Sequence, residues 1–151
     1  MKTDFLKGSI VALVTPFRDG QVDYESLKKL VEFHIDQNTD ALVPCGTTGE
    51  APTLSADEHK KVVETVIETA AGRIPIIPGT GSNCTRKTIA TTQHAKDNGA
   101  AAALIVAPYY NKPTQTGIYE HYRAVAEAVD IPIVVYNIAG RSGINIETET
   151  L

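Results

Sequence analysis

The sequence predicts an alternating α/β fold built on parallel strands, and three observations predict it. Five apolar runs, Ile10–Val14, Ala41–Val43, Ile74–Ile77, Ala101–Val106 and Ile131–Val135, begin 31, 33, 27 and 30 residues apart. A repeat of about 30 fits one strand plus one crossover helix. The runs are continuously apolar rather than alternating, as expected of parallel strands covered on both faces. Helical patterns fill the intervals between them. Such units form either an open doubly wound sheet or a (β/α)8 barrel.

Taken in order, the first interval has Asp23 placed as an N-cap, then Leu27, Leu30, Val31 and His34 on one helical face. The second opens with Ser55-Ala56-Asp57-Glu58, a capping box. Val62, Val63, Val66, Ile67 and Ala70 follow as its buried face, and Gly72 is the expected stop. A weaker helix is predicted from about Thr85 to Asn98, with Gly99 ending it. The fourth has Ile118, Tyr122, Val125 and Val129 on one stripe. The expected order is β-α-β-α-β-α-β-α-β, with a tail, Glu147–Leu151, able to open another helix.

The chain's 151 residues suffice for one substantial core. Its basic residues form no patch and the formal net charge is −4, which leaves nucleic-acid binding without support. No stretch is long and apolar enough to span a membrane. The start, Met1–Phe5, lacks the apolar core of a signal peptide, so a cytoplasmic chain is expected. Cys45 and Cys84 follow no metal spacing and are expected as free thiols. The histidines His34, His59, His94 and His121 all fall in helical segments, away from strand ends, so neither a catalytic histidine nor a metal is expected.

In both candidate architectures ligands bind at the carboxyl ends of the strands. Those ends read Thr15-Pro16, Gly46-Thr47-Thr48, Gly79-Thr80-Gly81, Tyr109-Tyr110-Asn111 and Tyr136-Asn137. In Gly46-Thr47-Thr48-Gly49-Glu50 two hydroxyls stand between two glycines, which are expected to turn the backbone and bring its N–H groups to an anion. A tight strand-to-helix turn explains the same residues. Tyr136, Tyr110 and Thr47 each carry a hydroxyl that both donates and accepts, so together they can pass a proton. A tyrosine satisfying one hydrogen bond is the plainer alternative. Arg141 suits bidentate carboxylate binding or simply faces solvent. Gly79-Thr80-Gly81-Ser82-Asn83-Cys84 lacks the third glycine of a dinucleotide fingerprint, and no acid ends the following strand.

The pentapeptide 46–50, Pro108-Tyr109-Tyr110-Asn111-Lys112-Pro113 and Tyr136-Asn137-Ile138-Ala139-Gly140-Arg141-Ser142-Gly143 together resemble the dihydrodipicolinate synthase family. Ile10–Phe17 and Gly79–Asn83 fit it in the same order. The resemblance implies a (β/α)8 barrel followed by a small helical domain, with residues 1–151 its N-terminal part, five strands of eight. It implies condensation of pyruvate with L-aspartate 4-semialdehyde in lysine biosynthesis through a lysine Schiff base, without a cofactor, in a homo-oligomer built as a dimer of dimers. Thr48, with the backbone at Gly46, would hold the pyruvate carboxylate. Thr47 would relay protons between Tyr136, the general acid–base, and Tyr110, which would reach in from a neighbouring subunit. Arg141 would bind the aldehyde substrate's carboxylate. His59, Asn83 and Tyr109 match part of an allosteric lysine site.

Two positions depart from the family pattern. Ala139 stands where proline is usual, and Lys87 where lysine-inhibited members have glutamate, which argues against inhibition by a cation. The Schiff-base lysine lies on the family's sixth strand. None of the nine lysines here ends a strand, so the 151 residues alone are expected to be inactive. The alternatives are a sister aldolase (N-acetylneuraminate lyase or a keto-deoxy-sugar acid aldolase) and a half-barrel module that catalyses nothing. The sister families resemble Ser-Thr rather than Thr47-Thr48 and lack a partner for Arg141.

Overall fold

The computed structural model describes residues 4–150. Its elements run β1 (Ile10–Ala12), β2 (Phe17–Arg18), β3 (Gln21–Val22), α1 (Tyr24–Asp36), β4 (Ala41–Val43), α2 (Ala56–Ala70), α3 (Thr85–Asp97), β5 (Ala103–Val106), α4 (Gln115–Ala128), β6 (Ile133–Tyr136) and the single turn α5 (Ala139–Ser142). Short 3-10 turns lie at Ala51–Thr53 and Thr148–Thr150.

The strands β1 and β4 pair in parallel with Val11 opposite Leu42, and β5 pairs in parallel with β6 with Ile105 opposite Val135. The third predicted strand is not a regular strand. It makes two isolated parallel bridges, Leu42 to Ile76 and Gly79 to Leu104. The reason is proline. Pro75 and Pro78 have no N–H, so each removes one rung of the ladder. Their carbonyls still accept, from Leu42 N–H at 3.1 Å and Leu104 N–H at 2.9 Å, while Ile77 donates to Leu42 O and Thr80 to Leu104 O. The segment 75–80 therefore joins β4 to β5, and the spatial order along the layer follows the sequence.

A hairpin that the periodicity did not predict, β2–β3, follows β1. Its turn is Asp19-Gly20, both residues at positive φ (52° and 77°), the conformation a two-residue type I′ hairpin demands. The dipeptide is the visible signal, but the flanking pairs are too short to show alternation.

The helices form where expected. Asp23 accepts a hydrogen bond from Ser26 N–H at 3.0 Å and caps α1. Ser55 and Glu58 make the reciprocal capping box of α2. That helix ends through Ala71 in the left-handed region (φ 48°), one residue before the expected Gly72, itself at φ 74°. Gly99 follows α3 at φ 94°. Thr114 caps α4 by accepting from Gly117 N–H.

The helices bury their stripes against the strand layer in two clusters, and a third lies among the strand segments alone. One joins Leu27 and Val31 of α1 and Val62, Val63 and Val66 of α2 to Leu13 and Leu42. Another joins Ile118, Tyr122 and Val125 of α4 to Ile105 and Ile131, with the Tyr122 hydroxyl donating to Ile105 O at 2.8 Å. The third joins Ala41 and Val43 to Ile77 and Ala102. Burying an aliphatic side chain of this size stabilises by about 1.5–3 kcal/mol. β4 is buried on both faces, as its apolar run predicts, while β5 buries Ala103 and Ile105 and leaves Leu104 and Val106 half-buried. The outer strands are less covered: Ile10, Val14 and Val135 remain exposed, Val14 at 49%. Among the described residues β1 pairs only with β4 and β6 only with β5.

Candidate active site

The parallel register places every predicted strand-end motif on one side of the layer. Between the ends of β1 and the segment 75–80 is the loop after β4. Thr47 and Thr48 are exposed, and Gly49 between them and the layer is buried. The turn is not made by the glycines, contrary to the sequence expectation. The left-handed residues are Cys45 (φ 55°) and Glu50 (φ 56°), just outside the two glycines. Gly49 is required for a different reason: a Cβ there would lie 2.9 Å from Leu13 O and 3.1 Å from Cys45 N. Gly46 has no such neighbour; its nearest contact would be Val43 Cγ1 at 3.7 Å. The loop closes through Glu50 N–H to Thr47 O at 3.1 Å and Ala51 N–H to Gly46 O at 3.4 Å. Among the described residues, no hydrogen bond is donated by the backbone N–H groups of Gly46, Thr47, Thr48 or Gly49. Consecutive free amides beside two free hydroxyls are the groups with which a backbone nest binds an anion.

The two neighbouring strand ends brace this loop. Thr15, buried just beyond β1, donates its hydroxyl to Gly49 O at 2.7 Å. On the other side Gly79 N–H donates to Pro44 O at 2.8 Å, and His59 of α2 bonds Gly79 O through Nε2 at 2.9 Å. Gly79 and Gly81 let backbones approach: added Cβ atoms would lie 2.2 Å from Cys45 O and 2.5 Å from Val106 N. They serve strand packing in this chain rather than a dinucleotide. Burial pushes the Cys45 thiol up to about 12 and holds His59 below the usual imidazole range. Among the described residues no group of three or more His, Cys, Asp and Glu is arranged to hold a metal, and no helix is long and apolar enough to cross a membrane.

After β5 the chain makes a constrained loop. Tyr110 and Lys112 both take positive φ, 70° and 48°. Asn111 anchors them: its Nδ2 donates to Asn83 O at 2.8 Å, and Asn83 Nδ2 donates back to Asn111 Oδ1 at 3.3 Å. The result throws Tyr110 outward, 88% exposed, while Tyr109 beside it is half-buried. Tyr136 ends β6, half-buried, and Arg141 lies exposed on α5. Ser142 fixes that turn by donating to Ile138 O and Ile144 O. Asn137 holds the returning chain, bonding Asn145 Oδ1 and Ile146 N–H.

Thus Thr47, Thr48, Gly46, Tyr110, Tyr136 and Arg141 each end a parallel strand or follow its carboxyl end. No hydrogen bond joins the hydroxyls of Thr47, Tyr110 and Tyr136 among the described residues. Of His59, Asn83 and Tyr109, Asn83 is tied to the tyrosine loop and His59 to Gly79; no described bond joins the three. Sequence reasoning assigned no role to Thr15 or Asn111, although both stood in the strand-end motifs. Their partners are 34 and 28 residues away, which no local pattern discloses.

Exposed hydroxyls, unbonded amides and phenols beyond the carboxyl ends of parallel strands are the kinds of group that small-molecule sites of α/β proteins use. The Dihydrodipicolinate synthetase family model matches residues 5–151, and the chain belongs to that family. It is 57% identical over 145 residues to the 4-hydroxy-tetrahydrodipicolinate synthase of Aquifex aeolicus, covering 96% of this chain and 49% of that protein. With the same enzyme of Geobacter metallireducens it shares 59% over 145 residues, 96% of this chain and 50% of that one. The crystal structure of the Aquifex aeolicus dihydrodipicolinate synthase superposes with a TM-score of 0.95 at 56% identity, over 96% of this chain and 50% of that one. The chloride-inhibited synthase from Acinetobacter baumannii, solved in complex with pyruvate, superposes with a TM-score of 0.94 at 57% identity, again over 96% and 50%. The chain spans about half the length of the curated relatives it matches.

Proposed function

We propose that the protein carrying this chain is a pyruvate-dependent Schiff-base lyase that condenses pyruvate with L-aspartate 4-semialdehyde, and that residues 1–151 form the N-terminal part of its (β/α)8 barrel. The observation that carries the proposal is the loop 46–50. Two exposed hydroxyls and a run of amides that donate to no partner among the described residues lie at the strand ends, in a chain 57% identical to a synthase of that name. A pyruvate carboxylate has the charge and size such a cradle accepts, with Thr48 donating its hydroxyl and Gly46–Gly49 their N–H groups.

In this reading Tyr136 is the general acid–base next to the Schiff base, and Thr47 relays its proton toward Tyr110. The 88% exposure of Tyr110 fits a residue that completes the site of a second subunit. Arg141, a planar donor on the one-turn α5, binds the aldehyde substrate's carboxylate in two-point fashion. The reactive amine comes from outside these residues. Lys28 and Lys29 lie on α1, Lys60 and Lys61 on α2, Lys87 and Lys96 on α3, and Lys7 and Lys112 in loops, while Lys2 lies outside the described residues. Lys87 near Asn83 argues for an enzyme that lysine does not inhibit.

Borohydride reduction of the full-length protein in the presence of pyruvate tests the chemistry. A covalent pyruvate-derived mass increase is expected, and its absence would overturn the proposal. Turnover of aspartate semialdehyde against cleavage of sugar acids then decides between this activity and a sister aldolase.

A further inference from the structure

We infer that Thr15 is a positioning residue for the pyruvate-binding loop, holding Thr47 and Thr48 toward the site through its buried hydrogen bond to Gly49; the inference rests on the function proposed above. The loop has little else to hold its middle. Its own closing bonds are the short turn Glu50 to Thr47 and the 3.4 Å contact Ala51 to Gly46. It is entered and left through Cys45 and Glu50, both non-glycine residues in the left-handed region. Such residues persist when their surroundings over-determine them. Among the described residues, Thr15 is the one side chain from another strand end that bonds the backbone of residues 46–49.

The geometry of that bond is specific. Leu13 N–H donates to Val43 O at 3.0 Å, which continues the β1–β4 ladder and fixes the course of the chain into Thr15. Thr15 is 5% exposed, so its hydroxyl competes with no solvent, and it meets Gly49 O at 2.7 Å. A Cβ on Gly49 would lie 3.3 Å from the same hydroxyl and 2.9 Å from Leu13 O, so glycine is what permits the approach. Gly49 is pinned down by its carbonyl from below, and Thr48 and Thr47 before it project to the open side. Thr15 does not touch the substrate; it acts through Gly49.

A hydroxyl that merely stabilised the fold would shift the melting temperature and leave the two substrates' constants in proportion. A positioning hydroxyl changes one of them. In the full-length protein, Thr15→Val keeps the shape and removes the donor, and Thr15→Ser keeps the donor. The expected result is a pyruvate KM raised about tenfold by Thr15→Val, the size of one lost buried hydrogen bond. The KM for aspartate semialdehyde should be unchanged, and Thr15→Ser should stay near the parent. Amide exchange at residues 46–50 should be faster in Thr15→Val than in Thr15→Ser. Equal pyruvate KM values for the Val and Ser variants, or equal exchange, would overturn the inference. If Thr15→Val does not fold, Thr15→Ala against Thr15→Ser makes the same comparison, because the two differ only in the hydroxyl. A parent protein that forms no pyruvate adduct would refute the proposed function instead. The exchange rates would still decide whether Thr15 holds the loop.

Discussion

Replacing Gly79 by alanine tests the packing that sets the strand-end face. The added Cβ would stand 2.2 Å from Cys45 O, 2.8 Å from Cys45 C and 3.1 Å from Gly46 N. All three atoms are backbone, so no side-chain rotamer can yield, and the segment 75–80 must move away from β4. Overpacking typically costs 1–3 kcal/mol, and a contact this short against backbone belongs at the upper end, about 3 kcal/mol. Movement also breaks the 2.8 Å bond from Gly79 N–H to Pro44 O, worth about 1 kcal/mol. At about 2–4 °C per kcal/mol for a domain of this size, the melting temperature should fall by about 8–16 °C. Gly46→Ala is the control. Its nearest neighbour would be Val43 Cγ1 at 3.7 Å and its φ lies outside the left-handed region, so it should stay within about 0.5 kcal/mol of the parent. Thermal and urea unfolding of both variants in the full-length protein measure the difference. A Gly79→Ala protein melting within about 2 °C of the parent would show that the segment and β4 are not in the close contact described here.

Four further outcomes are expected. Thr47→Val and Tyr136→Phe should each lower kcat by about 10²–10⁴-fold with little loss of stability; near-normal turnover in both would end the proton-relay assignment. The Lys87 and Arg86 amides at the start of α3 hold the Cys84 thiol below its ordinary range, while burial raises that of Cys45. Alkylation near neutral pH should therefore modify Cys84 selectively, with a rate midpoint below that of an ordinary thiol; mass spectrometry finding Cys45 labelled first would contradict this. Burial also holds His59 and His121 below the ordinary imidazole value, so the unfolded chain binds more protons than the folded one. Their contribution to stability is complete above about pH 6.5 and is lost as pH falls below it, which His→Gln variants should flatten in unfolding scans from pH 7 downward. The 151-residue polypeptide by itself should associate through its open strand edges and show no condensation activity; a soluble monomer on size exclusion, or measurable turnover, would refute the respective half of that expectation.

The helices with their caps and the apolar runs were legible in the sequence because they depend on local chemistry, whereas the β2–β3 hairpin and the irregular third strand were not. A run of Ile, Val, Leu and Ala reads as a strand at any location. The caps Asp23, Ser55-Glu58 and Thr114 act within one helical turn. Gly46–Glu50 and Tyr136 declare themselves as polar groups at the ends of apolar runs. Tertiary structure decided what those groups are fastened to. Pro75 and Pro78 removed the third strand's regular ladder, yet carbonyls paired with β4 and β5 kept the segment in line. Gly79 and Gly81 resembled part of a phosphate-binding loop and instead admit neighbouring backbones. The left-handed residues are Cys45 and Glu50, while Gly49 is the residue that passes against Leu13 O. The bonds from Thr15 to Gly49 and from Asn111 to Asn83 span 34 and 28 residues. Partners so far apart along the chain meet only after the strands have aligned, so the orientation of the threonine and tyrosine loops belongs to the folded protein and not to any stretch of its sequence.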